Sequence, residues 1–185
     1  QTGFGRTGDA FWGFQNHDVI PDIVTMAKGI GNGCPLAAVV TTKEIAQSLT
    51  EAIHFNTFGG NPVSCAQGLA TLEVILEDDM QGNAKRLGGI LFAGLHKLQQ
   101  KYSCIGDVRG MGLMVGVELI EDEEKTPATQ LTANVFETCK DLGLIIGKGG
   151  YYSNVLRIKP PMCVTEEDIV FMLEVLGEAF AKETR

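Results

Sequence analysis

Histidine is scarce in this sequence, and the motifs of two large hydrolase classes are missing. The three histidines, His17, His54 and His96, lie far apart along the chain. Neither the H-E-x-x-H pattern of zinc hydrolases nor the G-x-S-x-G pattern of serine hydrolases occurs. The sequence therefore predicts neither zinc-dependent nor serine-nucleophile hydrolysis, and we expect no metal site.

Basic residues are also too few for a nucleic-acid-binding protein. The chain has 15 lysines and arginines against 23 acidic residues, a formal net charge of −8. Nucleic-acid recognition needs the opposite balance, because positive side chains must neutralise phosphates. No apolar run approaches the length of a membrane span. We expect neither a nucleic-acid partner nor a membrane partner.

The five cysteines form no disulfide or zinc-binding pattern. Their number is odd, they are widely spaced, and no C-x-x-C pair occurs. A free cysteine usually packs as a small hydrophobic side chain. We expect these cysteines to be reduced and mostly buried, which suits a reducing compartment.

The first part of the chain shows short strands and a capped helix. Apolar runs at residues 22–27 and 36–41, bounded by proline and glycine, predict buried strands. Asn61 followed by Pro62 predicts the capped start of a helix that reaches about residue 78. Acidic residues at 77–79 mark a change of composition. We therefore place a domain boundary there, with one domain over residues 1–80 and a second over 81–185.

The second part alternates helices and strands, which predicts an α/β or α+β domain. Thr165 and Asp168 form an approximate capping box at the start of the last helix. The other predicted elements are helices at about 82–102 and 127–142, and strands at 112–120, 144–146 and 155–158.

Residues 3–8 (GFGRTG) match the G-x-G-x-x-G pattern of dinucleotide-binding proteins. That pattern is meaningful only between a strand and the helix whose N-terminus holds the pyrophosphate. No strand is visible before it, and residues 9–14 (DAFWGF) are a poor helix start. We interpret the segment as a tight glycine turn.

Lys28 is a candidate nucleophile. It stands at the end of a predicted buried strand, and Gly29, Gly31 and Gly33 follow it, so a ligand could approach the backbone closely. Burial lowers the pKa of a lysine in general, because the ammonium loses hydration, and a neutral amine can attack an aldehyde to form an imine. The local pattern equally fits a lysine that extends from a strand end into water.

Two further segments are typical of anion-binding sites. Thr57 offers a hydroxyl just before the glycines and the helix start at residues 59–62, where free N–H groups and the helix dipole favour a phosphate. Arg157 lies on an apolar strand that ends at two prolines, and its guanidinium could hold a carboxylate through two hydrogen bonds. An ordinary capped helix and an ordinary surface charge are the alternatives.

Four segments in order resemble the motifs of the class-III aminotransferases. They cover nearly the whole chain, and independent chance matches at compatible spacings are improbable in combination. The segments are residues 1–8 (QTGFGRTG), 21–33 (PDIVTMAKGIGNG), 57–62 (TFGGNP) and 155–161 (VLRIKPP). Within the family, residues 54–62, 106–118 and 157–163 are most similar to its alanine–glyoxylate branch.

The resemblance implies pyridoxal 5'-phosphate as the cofactor and a role for four residues. Lys28 matches the lysine that holds the cofactor as a Schiff base and then acts as general acid and base. Thr57 matches a threonine that reaches the cofactor phosphate of a neighbouring subunit. Gln1 matches a glutamine beside the cofactor's phenolic oxygen, and Arg157 matches the arginine that binds the substrate carboxylate.

The resemblance also implies the aspartate-aminotransferase fold, which is fold type I of pyridoxal-phosphate enzymes. Residues 1–80 would be the C-terminal portion of the large cofactor-binding domain, and 81–185 the C-terminal small α/β domain. In the family, the aspartate on the pyridine nitrogen, the main phosphate cup and the stacking aromatic ring lie before the residue matching Gln1. We therefore expect an enzyme at full length and little activity from these 185 residues alone.

The implied reaction moves an amino group from alanine, or a related amino acid that includes β-amino acids, to glyoxylate or pyruvate. The implied partners are these small amino and keto acids and further copies of the chain, in a homodimer or larger homo-oligomer, and the implied location is the mitochondrion. Two alternatives remain open. One is a phospho-lyase of the same family that uses the same lysine, and the other is a non-catalytic dimerisation fragment.

Overall fold

The computed structural model describes residues 1–184, and the chain divides into two compact units. The first unit comprises Gln1–Gly5 and Ala10–Gln81. The second comprises Arg6–Asp9 and the chain from residue 82 onward. The segment Arg6–Asp9 therefore belongs with residues far from it in sequence. The assignment of residues 1–80 and 81–185 to a large and a small domain stays a prediction.

The first unit contains a two-stranded sheet and two α-helices. Strand β1 pairs antiparallel with strand β2, so that Ile23 lies opposite Thr41 and Ala27 opposite Ala37. Short 3₁₀ turns occupy Gly13–His17, Lys28–Gly31 and Ser48–Glu51. The regular elements are β1 (Ile23–Ala27), β2 (Ala37–Thr41), α1 (Lys43–Gln47) and α2 (Pro62–Glu77).

The expectation that both strands are buried is wrong for this chain. Of the five residues of β1, Met26 alone is buried, and Ile23 is 53% exposed. Val39 of β2 is 67% exposed. An apolar run indicates only that a strand is suited to burial. The described residues leave β1 and β2 largely exposed.

Helix α2 begins as the sequence predicts. Asn61 lies just before Pro62, and its side-chain oxygen accepts a hydrogen bond of 2.9 Å from the backbone N–H of Ser64. At Gly68 the helix approaches Leu36 so closely that a side chain would not fit. A Cβ added there would lie 2.4 Å from Leu36 Cδ2. This contact holds α2 against the loop between β1 and β2.

The second unit is built on a four-stranded antiparallel sheet with the strand order β3-β4-β6-β5. In register, Arg109 of β3 lies opposite Gly116 of β4, which lies opposite Arg157 of β6, which lies opposite Gly147 of β5. The elements are α3 (Met80–Lys101), β3 (Ile105–Met111), β4 (Met114–Leu119), α4 (Thr129–Asp141), β5 (Gly147–Gly149), β6 (Val155–Ile158) and α5 (Glu166–Glu183).

One hydrophobic core fills the second unit. Leu87, Leu91 and Leu95 of α3 recur every four residues, so they share one face of the helix and are fully buried. Leu156 of β6 and Phe180 of α5 belong to the same buried cluster. Burial of these side chains is the main term that stabilises the unit.

Two strand predictions in this unit need correction. The single strand predicted at 112–120 is the second half of a hairpin, and β3 was missed because its two glycines, Gly106 and Gly110, obscure the alternation. The strand predicted at 144–146 lies three residues later, at Gly147–Gly149, and Ile145 is 87% exposed. The Gly-Lys-Gly sequence of that strand carries no apolar signal, since its backbone alone does the pairing.

The last helix is capped as predicted. The N–H of Asp168 donates to Thr165 Oγ1 at 3.3 Å, and the N–H of Thr165 donates to the Asp168 carboxylate at 2.8 Å. The backbone N–H and the hydroxyl of Thr165 both donate to the Asp168 carboxylate, and they lower its pKa because they favour the ionised form. Among residues 1–184, no helix combines the length and hydropathy needed to cross a membrane.

The cysteines are free thiols, but the expectation that most are buried is wrong. Cys139 is buried, and loss of hydration raises its pKa to about 11. Cys34 and Cys104 are partly exposed, and Cys65 and Cys163 are exposed. Burial of a cysteine depends on the packing of its own element, which the residue type does not determine.

We predict that Gly88→Ala destabilises the protein, whereas Gly89→Ala on the same helix does not. A Cβ at Gly88 would lie 2.6 Å from the carbonyl oxygen of Gly112, while a Cβ at Gly89 would meet nothing within 4 Å. Overpacking of this kind costs about 1–3 kcal/mol. Alanine at the open helical position stabilises by about 1 kcal/mol. Denaturant midpoints of the two variants of the full-length polypeptide measure the difference, and equal midpoints would contradict the close approach.

Candidate active site

Lys28 closes the hairpin between β1 and β2. Its backbone N–H donates to the carbonyl oxygen of Leu36 at 3.2 Å, directly beyond the last strand pair. The loop then turns tightly, since the N–H of Asn32 donates to Gly29 and the N–H of Cys34 donates to Gly31. The position of Lys28 is therefore fixed by the strand register.

The backbone of Lys28 is strained. Its φ of 58° lies in the left-handed region, although the residue is not glycine. An L-residue there costs about 1–2 kcal/mol, because its Cβ approaches the neighbouring carbonyl. Glycine would remove that cost but would also remove the amine. Lys125 shares this left-handed conformation, with a φ of 65°, so the strain alone does not mark a functional side chain.

An open cavity of about 1010 Å³ lies beside Lys28 in the first unit. Its described lining contains one charged side chain, Lys28, among small, amide and apolar groups. The lining residues are Ala27, Lys28, Gly29, Asn32, Gly33, Cys34, Pro35, Leu36, Ala37, Asn56, Phe58, Gly59, Gly60, Asn61 and Ser64. The cavity therefore offers a single amine, a group that can pair with an anion or, when neutral, attack an aldehyde.

The N-terminus of α2 borders the same cavity. Asn61 and Ser64 both line it, so the positive end of the helix dipole is on the side of Lys28. The Asn61 cap already satisfies the N–H of Ser64, as an ordinary capped helix would. Thr57 is exposed between two lining residues, Asn56 and Phe58.

Lys28 is not buried as the sequence argument expected. Its side chain is exposed, because β1 ends at an uncovered edge and the glycines that follow bring no bulk over it. Desolvation of this amine therefore requires a cofactor, further chain or another subunit over the cavity.

Gln1 lies against the strand that leads to Lys28. Its backbone nitrogen donates to the carbonyl oxygen of Thr25 on β1 at 3.0 Å, and Thr25 precedes Lys28 by three residues. Thus Lys28, the loop around Thr57, and Gln1 all belong to the first unit.

Arg157 belongs to the second unit and lines another cavity, of about 360 Å³. Gly147 makes room for its side chain, because a Cβ there would lie 3.0 Å from Arg157 Nε. The rest of the lining is largely apolar and consists of Ile145, Ile146, Gly147, Ile158, Lys159, Pro160, Pro161 and Met172. An exposed guanidinium over such a surface suits a small carboxylate.

Arg109 lies two strands from Arg157 at the same register position of the sheet, and its guanidinium is already paired with carboxylates. Arg109 donates to Asp107 at 2.7 Å and to Glu118 at 2.6 Å, and these bonds raise its pKa. Arg157 forms no ion pair within the part of the chain that the structure describes. Of the two, Arg157 is the one available to an external anion. Sequence reasoning missed Arg109 and Gly147, since strand register alone aligns them with Arg157.

The glycine-rich segment at residues 3–8 forms turns and bends, and Gln1 and Thr2 before it are not in a strand. Within residues 1–184, no group of three or more histidine, cysteine or acidic side chains could hold a metal ion.

Comparison with known proteins places the chain in a family. The sequence model described as aminotransferase class-III matches residues 1–180. The chain belongs to the class-III aminotransferase family. The resemblance stated from its motifs is thereby confirmed.

Two curated relatives carry the name alanine–glyoxylate aminotransferase 2 with the word mitochondrial. The homolog 2 protein of Arabidopsis thaliana is 55% identical over 183 residues, covering 98% of this chain and 38% of the relative. The Homo sapiens protein is 50% identical over 185 residues, covering 98% of this chain and 36% of the relative. This chain therefore spans less than two fifths of the length of either.

A solved structure confirms the predicted fold class. A phospholyase from Arthrobacter, in complex with phosphoethanolamine, superposes with a TM-score of 0.93 at 40% identity, covering 98% of this chain and 43% of that one. The chain thus has the α/β architecture of the fold type I, aspartate-aminotransferase-like enzymes.

We predict that Lys28→Gly is more stable than Lys28→Ala. Glycine adopts a φ of 58° without strain, whereas alanine keeps the steric cost. After the larger unfolded-state entropy of glycine is subtracted, the difference is about 0.5–1 kcal/mol. Denaturant midpoints of the full-length polypeptide without cofactor measure it, and a more stable alanine variant would show that the position is not strained.

Proposed function

We propose that the full-length polypeptide carrying this sequence is a pyridoxal-phosphate-dependent aminotransferase of the alanine–glyoxylate type. It would transfer the amino group of alanine, or of a related amino acid that includes β-amino acids, to glyoxylate or pyruvate. The observation that carries this proposal is the lone amine of Lys28, strained and fixed by strand register, on the glycine-lined cavity. The names of the two curated relatives support the substrates.

The residues on the cavity fit pyridoxal 5'-phosphate. When bound, this cofactor supplies an aldehyde for attachment to a lysine and a ring that accepts electrons. Lys28 would bind the cofactor covalently and, once the amino acid displaces it, would hold and move the proton at the substrate carbon. The dipole of α2 would favour the phosphate beside Asn61.

We propose that Thr57 and Gln1 complete the cofactor site. Thr57 is exposed and is not part of the chain's own cavity lining, which suits a contact with the phosphate in a neighbouring subunit. The proposed assembly is accordingly a homodimer or a larger homo-oligomer. Gln1 lies beside β1, where its amide could reach the phenolic oxygen of a cofactor on Lys28.

We propose that Arg157 binds the substrate carboxylate. It has no ion-pair partner among the described residues, and Gly147 leaves space beside its guanidinium. A fork of N–H donors suits a carboxylate better than a lysine ammonium would. The proposed location is the mitochondrion, which the names of both curated relatives include.

The structural match to a phospholyase supports a second candidate. Such an enzyme would use the same lysine to eliminate phosphate from a phosphorylated amino alcohol or from phosphorylated hydroxylysine. Release of inorganic phosphate from phosphoethanolamine without any keto acid would favour this candidate over transamination. The third candidate, a non-catalytic dimerisation fragment, requires tight association with a full-length partner and no cofactor attachment of its own.

We predict that the cofactor attaches to Lys28. The full-length polypeptide is incubated with pyridoxal phosphate, reduced with borohydride, digested and mapped by mass. The pyridoxyl adduct is expected on the peptide that contains Lys28, because Lys28 is the one charged side chain in the described lining of the cavity. The adduct disappears in Lys28→Ala and persists in the control Lys43→Ala, whose lysine is exposed at the start of α1. An adduct elsewhere, or none, would favour the non-catalytic candidate.

We predict that Gly147→Ala weakens binding of alanine, whereas Gly149→Ala on the same strand does not. A Cβ at Gly147 would lie 3.0 Å from Arg157 Nε and 3.3 Å from Nη2, so the guanidinium must shift by a few tenths of an ångström, while a Cβ at Gly149 meets nothing within 4 Å. A shift of that size in the carboxylate anchor raises the KM for alanine about 3-fold or more. Steady-state kinetics with alanine and glyoxylate measure this, and an unchanged KM in Gly147→Ala argues against Arg157 as the anchor.

A further inference from the structure

Arg6 links three distant parts of the second unit. Its Nη1 donates to the carbonyl oxygen of Leu113 at 3.0 Å and to that of Pro160 at 2.6 Å. Its own carbonyl oxygen accepts a hydrogen bond of 3.1 Å from the N–H of Leu113. The residue is thus held at its backbone by the β3–β4 turn, and its side chain reaches the chain just after β6.

The contact with Pro160 acts on the wall of the Arg157 cavity. Pro160 and Pro161 both line that cavity and follow Arg157 by three and four residues. Neither proline has an N–H with which to extend the sheet ladder beyond β6. The hydrogen bond from Arg6 therefore holds a segment that the sheet itself does not hold.

A purely structural tether does not require a guanidinium. Burial lowers the pKa of Arg6, and among the described residues no carboxylate offsets that loss of hydration. A partly buried cation that donates to two carbonyl oxygens costs free energy that an apolar residue would avoid. The same segment already has an exposed tether, the ion pair of 2.8 Å between Asp9 and Lys85.

We propose that Arg6 is a positioning residue for the substrate carboxylate, acting through the carbonyl of Pro160 on the cavity that Arg157 lines. This inference rests on the proposed role of Arg157. Arg6 fixes Pro160, just beyond the end of β6, so that the guanidinium of Arg157 meets the carboxylate at one geometry.

Removal of the guanidinium tests the proposal in the full-length, cofactor-loaded protein. Arg6→Met keeps an apolar stem and loses both donors, and Arg6→Lys keeps a charge on a shorter stem. Lys85→Met is the matched control, since it cuts the other tether of the same segment. Arg157→Gln removes the proposed anchor itself. Alanine is compared with isopropylamine, in which a methyl group replaces the carboxylate, and propionate binding is measured by calorimetry.

Arg6→Met is expected to raise the KM for alanine and the dissociation constant for propionate about 10-fold. Its kcat/KM for isopropylamine should stay within about 2-fold, and so should all values for Lys85→Met. The double variant with Arg157→Gln should bind propionate no more weakly than Arg157→Gln alone, because both changes remove one function. If Arg6→Met does not fold, Arg6→Lys is expected to show the same selective loss in smaller measure.

Two results overturn the inference in distinguishable ways. If Arg6→Met lowers kcat/KM equally for alanine and isopropylamine and leaves propionate binding unchanged, Arg6 is only a tether. In that case a selective effect of Arg157→Gln would still support the proposed carboxylate site. If Arg157→Gln itself changes neither propionate binding nor the KM for alanine, the proposed carboxylate site fails and the role of Arg6 fails with it.

Discussion

The second unit depends on a close approach of three backbones at positions that exclude a Cβ atom. Gly88 of α3 faces Gly112, where an added Cβ would lie 2.6 Å from a carbonyl oxygen, and a Cβ on Gly112 would lie 2.4 Å from the carbonyl oxygen of Arg6. Glycine at Gly112 is required twice over, because its φ of 54° is also left-handed. The approach brings residues 6–9 into the second unit and allows the Arg6 side chain to reach Pro160.

Charge in the two units is distributed so that certain cations remain available. Arg109 is neutralised by Asp107 and Glu118, and Lys85 is paired with Asp9. Within the described chain, Lys28 and Arg157 form no such pairs, although the protein as a whole is acidic. Leaving a cation unpaired on a cavity costs little in water and favours an anionic ligand, which agrees with the cofactor and carboxylate roles that we propose.

The first unit exposes far more apolar surface than the second. Ile20, Ile53, Phe55 and Phe58 are each at least 79% exposed, and β1 and β2 form a sheet of only two strands. Patches of this kind on soluble proteins usually mark surfaces that other chain segments or subunits cover. The curated relatives are more than twice as long as this chain, and the proposed homo-oligomer would add a further subunit.

The sequence by itself determined the helices and their caps, the pair of strands around Lys28, and the family. Capping by Asn61 and Thr165, and the spacing of Leu87, Leu91 and Leu95, act between residues a few positions apart, so local patterns report them. Tertiary structure decided the position of the strand Gly147–Gly149, the exposure of β1 and β2, and the residues that surround Arg157. Strand register placed Gly147 beside Arg157, and a hydrogen bond across 154 residues joined Arg6 to Pro160. Such contacts form only when distant backbones meet, and no local pattern encodes which backbones those are.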